Sequence, residues 1–151
     1  MRPYYEYEHV VTFSDTNAVG NVYFASYVVW QGACRERFIA ERSPGLVARF
    51  DQDLALVTVS CSCEFLAELC TFDRVSVRMS LSDIMANQVS MDFAYYRVNG
   101  GPPQLVARGN QTVACMARKD GGLVPLDVPA ELRIALEPYG LDSLTRRSGD
   151  V

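Results

Sequence analysis

Two hydrophobic rhythms alternate along the chain, and each change of rhythm marks an element. Residues 4–13, "YYEYEHVVTF", carry aromatic and β-branched side chains in partial alternation and predict a strand. "SDTNAVGN" at 14–21 predicts a turn, since Ser, Asp, Asn and Gly each satisfy or tolerate tight backbone geometry. From about Val22 to Arg42 the sequence "VYFASYVVWQGACRERFIAER" is long and free of proline, which predicts one helix. Gly32 weakens that helix by about 1 kcal/mol relative to Ala, and "SPG" at 43–45 stops it.

Period-two runs follow at 54–65, 71–84, 87–98 and 104–118. In the second of these, Val75, Val77, Met79 and Leu81 fall on one face, with Arg74, Ser76, Arg78 and Ser80 on the other. "VNGGPP" at 98–103 supplies a hairpin loop, and "KDGG" at 119–122 ends the last strand. "VPAELRIAL" at 128–136 predicts a short helix from Pro129, and "TRRSGDV" a frayed tail, flexible from about residue 140. One strand, one long helix and four strands with short connections predict an α+β fold with a five-stranded antiparallel sheet. Such a sheet buries its apolar face by curving around the helix. With no repeat or linker, residues 1–151 read as a single domain.

Composition narrows the partners. The chain is 49% hydrophobic and 21% charged, an ordinary soluble globular balance. A net charge of −4 without a Lys/Arg block argues against nucleic acid, although one placed Arg can still hold an anionic ligand. No apolar run approaches the ~20 residues that cross a bilayer. The five cysteines (34, 61, 63, 70 and 115) lack metal-site spacing, and Cys61 and Cys63 share one strand face, poor geometry for a disulfide. With no secretory signal in "MRPYYEYEHV", reduced thiols in a cytoplasm are expected. His9 is the only histidine and stands apart from every cysteine, so the thiols read as small hydrophobes. No metal or cofactor is expected.

Helical phase separates the arginines. At about 100° per residue, Phe24, Val28, Gln31, Arg35, Phe38 and Ile39 share one stripe, flanked by Tyr27 and Cys34. Glu36 and Arg37 lie on the other side. A guanidinium among apolar neighbours is costly unless compensated. Arg35 is therefore either ion-paired, snorkelling to water, or set to meet a ligand carboxylate, carbonyl or phosphate.

The turn and helix together, "FSDTNAVGNVYFASYVVW", resemble the 4-hydroxybenzoyl-CoA thioesterase family of hotdog folds. Asp15, Gly20, Val22, Tyr27 and Trp30 fit its pattern D-x-D-x-x-G-x-V-x-x-x-x-Y-x-x-W in register. The resemblance implies a curved sheet around the long helix, paired subunits (dimer or tetramer) and active sites at the subunit interface. The second acid of the pattern, nucleophile or base in aryl-CoA thioesterases, is Asn17 here. Asn has no useful proton affinity near neutral pH and is a poor nucleophile; it is also a common turn former. The enediyne-biosynthetic branch resembles this chain in that exchange, with an Asn in the turn, an Arg eighteen residues later (Arg35), and a Ser-Cys-Ser-Cys-Glu-like segment at 60–64. This implies hydrolysis of a β-ketoacyl polyene thioester from the phosphopantetheine arm of a polyketide synthase acyl carrier domain, releasing a β-keto acid that can lose CO2.

On this resemblance Asn17 holds the attacking water or the thioester carbonyl. The Phe24 backbone N–H serves the oxyanion, and Arg35 the β-keto oxygen or product carboxylate. Asn17 and Arg35 are expected to face one cavity. Tyr27 and Thr58 are candidate polar contacts, beside an apolar slot walled by the helix stripe and residues 54–65. Glu64 is the alternative acid, its plain reading being an exposed strand-end residue. The rival functions are a general acyl- or aryl-CoA thioesterase and a non-catalytic acyl-binding hotdog protein.

Overall fold

A computed structural model describes residues 3–140; the expected tail segment "TRRSGDV" lies outside them. β1 (Tyr5–Val10) leads through a single 3-10 turn (Phe13–Asp15) into α1 (Phe24–Arg42). Pro44 then opens a one-turn α2 (Pro44–Val47), because proline at the first position of a helix loses no hydrogen bond. β2 (Leu54–Phe65), β3 (Arg74–Met85), β4 (Gln88–Arg97), β5 (Gln104–Lys119) and β6 (Gly122–Pro125) follow, before α3 (Ala130–Leu136). Among the described residues no helix is long and apolar enough to cross a membrane.

The sheet is antiparallel in the order β1-β3-β4-β5-β2, and the fold is the hotdog arrangement expected from the sequence. It has one strand more than the five expected. Asp120 (φ 49°) and Gly121 (φ 77°) both take positive φ, the two-residue turn that matches the twist of a hairpin. "KDGG" therefore reverses the chain into β6, which pairs with the far end of β5. Register shifts at Thr58/Ser60, Leu81/Asp83 and Tyr95/Tyr96 bend three strands and let the sheet curve.

The concave face closes on α1. Tyr27, Trp30, Gln31, Cys34, Phe38 and Ile39 are the buried helix residues, and Val75, Val77, Met79, Phe93 and Tyr95 meet them from the sheet. This stripe is rotated from the one read in the sequence, toward Tyr27, Trp30 and Cys34. Phe24 is consequently exposed and Arg35 half-buried on the flank. The large rings at 27 and 30 remove more apolar surface from water than Phe24 or Val28 would, and they set the phase. The Tyr95 hydroxyl donates to the Tyr27 carbonyl at 2.7 Å, satisfying a polar group in the middle of the core.

Gln31 is fully buried and donates through Nε2 to the Ser62 carbonyl of β2 at 2.9 Å. That contact requires a glycine on the neighbouring strand: a Cβ at Gly109 would overlap Gln31 Nε2 and stand 2.7 Å from the Ser62 carbonyl. Gly109→Ala is expected to lower stability by about 1–3 kcal/mol, the usual cost of overpacking. Urea denaturation checks this, and an unchanged midpoint would contradict it.

Candidate active site

Asp15 closes the base of the turn that leads into α1. Its Oδ2 accepts the Thr12 N–H at 2.9 Å, the Thr12 hydroxyl at 3.1 Å and a bond with His9 Nε2 at 2.8 Å. Its main-chain carbonyl accepts the Tyr23 N–H at 2.8 Å and the Ser26 hydroxyl at 3.0 Å. Above this base the loop is tight: the Asn17 N–H reaches the Asn21 carbonyl at 2.9 Å, and Gly20 takes φ +91°. Asn17 Oδ1 accepts the Val19 N–H at 3.0 Å, so the turn-forming reading of this residue holds. The bond uses the amide oxygen and leaves the amide N–H groups as the donors Asn17 can offer a ligand.

Asn17 lines a cavity of about 300 Å3 with Asn21, Phe24, Tyr27, Phe65 and Glu68. α1 begins at this cavity. Tyr23 is its extended N-cap residue, and no side chain caps the helix. Among the described residues the Phe24 N–H thus stands free at the positive end of the helix dipole, while the Ser26 N–H is taken by the Tyr23 carbonyl at 2.9 Å. Tyr27 is buried against the rings of Phe65 (5.0 Å), Trp30 (5.1 Å) and Tyr95 (5.5 Å). Burial pushes its hydroxyl up to about 12, so it keeps its proton near neutral pH.

Arg35 lies farther along the helix. Its Nη1 donates to Gln111 Oε1 at 2.8 Å and to Thr58 Oγ1 at 3.2 Å, and Gln111 itself is only 3% exposed. Among the described residues no carboxylate comes within 4.0 Å of the guanidinium. Burial therefore lowers its pKa, with Glu36 pulling the other way. One side of Arg35 faces a cleft of about 360 Å3 lined by Ile39, Phe50, Leu54, Leu56 and Arg118.

Asn17 and Arg35 do not share a cavity within one protomer, contrary to the expectation from the sequence. From Phe24 to Arg35 the helix climbs about 16 Å, and the Gln31–Ser62 contact fills the space between. Tyr27 stands with Asn17, and Thr58 with Arg35. Glu64 is outside both cavities, 66% exposed and 3.7 Å from Arg108 of β5. The acid that does line the Asn17 cavity is Glu68, which sequence reasoning missed. The loop after β2 folds back over the start of α1, bonding Val22 N–H to the Leu69 carbonyl at 2.9 Å and Asn21 Nδ2 to Glu68 Oε1 at 3.4 Å. No spacing signal announces a contact between residues 47 apart in sequence. Three of the thiols are held protonated: burial pushes Cys34 up to about 12 and Cys63 up to about 11, and raises Cys115 too.

The model of the thioesterase-like superfamily matches residues 11–136. The solved dynemicin thioesterase, whose crystal structures reveal induced-fit and allosteric effects upon polyene binding, is 53% identical, with 92% of this chain and 99% of that one covered and a TM-score of 0.89. A 1,4-dihydroxy-2-naphthoyl-CoA thioesterase from Synechocystis is 23% identical over 89% of this chain and 96% of its own, with a TM-score of 0.75. An Asp→Asn mutant of 4-hydroxybenzoyl-CoA thioesterase, complexed with 4-hydroxybenzoyl-CoA, is 18% identical over 87% and 96%, with a TM-score of 0.77. The last two show the shared fold alone. No curated protein sequence matches the chain.

Burial works to raise the Asp15 carboxyl, but the bonds from His9 and Thr12 outweigh it and hold it below its ordinary 3.8. A depressed native value contributes stability that is complete above the unfolded value and is lost as pH falls through the native one. Asp15→Asn should therefore be less stable than the wild type near pH 6, with the gap closing below about pH 4. Urea midpoints across this range measure it; a gap independent of pH would contradict the assignment.

Proposed function

The chain belongs to the thioesterase-like superfamily and is a thioester hydrolase, and from that premise we propose that it frees a β-ketoacyl polyene from the phosphopantetheine arm of an acyl carrier domain, as enediyne biosynthesis by an iterative polyketide synthase requires. The observation that carries this reading is the 53% identity, over nearly the whole of both chains, to the dynemicin thioesterase. The amide at position 17, in place of an acid, supports it.

The sheet edge supports a site shared by two copies. β2 is the last strand of the sheet, and residues 57–62 are exposed, an open template for pairing. Pairing two copies antiparallel about a two-fold at Cys61 would set Thr58 opposite Glu64 and Val57 opposite Phe65. Arg35 of the partner subunit, tied to its Thr58, then approaches the cavity of Phe65, Tyr27 and Asn17. The separation found within one protomer is thereby closed across the interface.

In this assembly the thioester carbonyl oxygen takes hydrogen bonds from the Phe24 N–H and the Asn17 amide N–H. Water adds to the carbonyl carbon, the C–S bond breaks, and the proton released by the water reaches the departing sulfur. Arg35 of the partner subunit holds the β-keto oxygen, and the polyene lies along the apolar cleft of Ile39, Phe50, Leu54 and Leu56. The β-keto acid that leaves can lose CO2. Glu68 favours a second reading, because it lines the cavity and could carry that proton from water to sulfur.

Asn17→Ala and Arg35→Ala should each lower kcat on a carrier-loaded β-keto polyene by about 10²-fold, the usual loss for one oxyanion donor or charge contact, while Glu64→Ala stays near wild type. Collapse at Glu64 alone would return the site to carboxylate catalysis. A fall in Glu68→Gln matching that of Asn17→Ala would establish the second reading. Mixed and reassembled Asn17→Ala and Arg35→Ala chains should recover activity, since one site in the hybrid is intact; no recovery would place both residues in one protomer's site. Faster turnover of aryl- or short acyl-CoA esters than of the carrier-bound polyene would mark a general acyl-CoA thioesterase. Binding without hydrolysis would mark an acyl-binding protein.

A further inference from the structure

The single histidine is part of a hydrogen-bonded chain that the hydrolytic scheme leaves unused. His9 stands near the end of β1 with its ring 4.9 Å from that of Trp30. Nε2 is 2.8 Å from Asp15 Oδ2, and Nδ1 is 3.1 Å from the Tyr7 hydroxyl. An ionised carboxylate can only accept, so Nε2 carries a proton, and Nδ1 pairs with the Tyr7 hydroxyl. The Arg37 guanidinium covers the Tyr7 ring at 5.1 Å. Both ring nitrogens are thus committed, and neither His9 nor Asp15 lines the Asn17 cavity. The pair has the look of a catalytic dyad but no access to a reacting atom.

What the pair does reach is the backbone that builds the site. The Asp15 carbonyl receives the Tyr23 N–H at 2.8 Å, and Tyr23 is the residue whose extended backbone aims the first N–H of α1. The same carbonyl receives the Ser26 hydroxyl at 3.0 Å, inside the first helical turn. Two residues on from Asp15 stands Asn17. A carboxylate whose Oδ2 is held by both His9 and Thr12 constrains the orientation of the residue 15 peptide. That peptide in turn fixes both proposed donors.

We propose that His9 is a positioning residue for hydrolysis: acting through Asp15, it sets the Phe24 N–H and the turn that carries Asn17. The proposal rests on the reading of Asn17 and Phe24 as oxyanion donors. Displacements of about 1 Å at a reacting centre cost about 10²-fold in rate, so a loss of this order is within reach of a residue that never touches substrate.

The test uses His9→Phe, which keeps a ring against Trp30 but removes the donor to Asp15, with Asp15→Ala and the double variant. His9→Phe should lower kcat by about tenfold or more and leave KM within about twofold. The double variant should be no slower than Asp15→Ala alone, since His9 acts only through that carboxylate. His9→Gln, whose amide N–H reaches the place of Nε2, should retain most of kcat, and His9→Asn, whose amide is too short, should not. Backbone amide NMR signals of residues 17 and 24 should shift in the Phe and Asn variants and stay near wild type in the Gln variant.

An unchanged kcat in His9→Phe, or losses at 9 and 15 that multiply, would overturn the proposal. A lower melting temperature with kcat intact would make His9 merely structural and would overturn it too. Should His9→Phe not fold, the Gln and Asn pair decides alone. Wild-type hydrolysis in Asn17→Ala would sink the site reading by itself, and the coupling between 9 and 15 is read separately, from kcat on any thioester the wild type turns over.

Discussion

Tyr27, Gln31 and Arg35 follow one another at one-turn intervals along α1 and meet Phe65, Ser62 and Thr58 of β2. This line of contact holds the long helix against the edge of the curved sheet, and much of the rest is arranged around it. At one end it stops at the uncapped start of α1 and the Asn17 turn. At the other it ends on a guanidinium and an apolar cleft. The middle is sealed by a fully buried amide that fits only because Gly109 has no side chain. A polar group there costs little while its hydrogen bond is made, and it fixes how helix and strand slide past each other.

Several charged groups among the described residues are settled within the chain, and Arg35 is not. Asp15 is settled, holding Thr12 and His9. Arg49 and Asp53 form an exposed pair at 2.9 Å, and Arg78 is stacked between the rings of Tyr4 and Tyr96 at 4.7 and 4.2 Å. Arg35 differs: half-buried, it is offered, among the described residues, the neutral oxygens of Gln111 and Thr58. Neutral acceptors soften the desolvation of a cation without neutralising it. A ligand bearing an enolate or carboxylate oxygen would complete its environment, which is the ground for the β-keto acyl group in the proposed function.

Asn17 stands where the family pattern has its second acid, and its surroundings suit the proposed amide role. Asn17 spends its oxygen on the turn and keeps its N–H groups, which leaves it a donor to offer rather than a base. The helix start adds N–H groups at the same cavity. Three thiols are held protonated by burial. The chemistry proposed for such a site is oxyanion stabilisation, with a water as nucleophile.

Much of this was legible in the residues. Period-two runs gave the strands of an antiparallel sheet, the proline-free stretch gave α1, and "SDTNAVGN" gave a turn whose register with Tyr27 and Trp30 pointed to the hotdog fold. These are local signals, set by backbone propensity and the repeat of apolar positions, and a single segment suffices to read them. Helical phase also singled out Arg35 over Arg37, and the half-buried guanidinium agrees. Tertiary packing decided the remainder. Trp30 and Tyr27 turned the helix so that Phe24 faces out, the loop after β2 brought Glu68 rather than Glu64 to the cavity, and the length of the helix kept Asn17 and Arg35 apart. His9, read in the sequence only as standing apart from the cysteines, is set beside Asp15 by β1 and the turn. Such contacts follow from how the helix packs, how the sheet curves and where it ends, which no local pattern encodes.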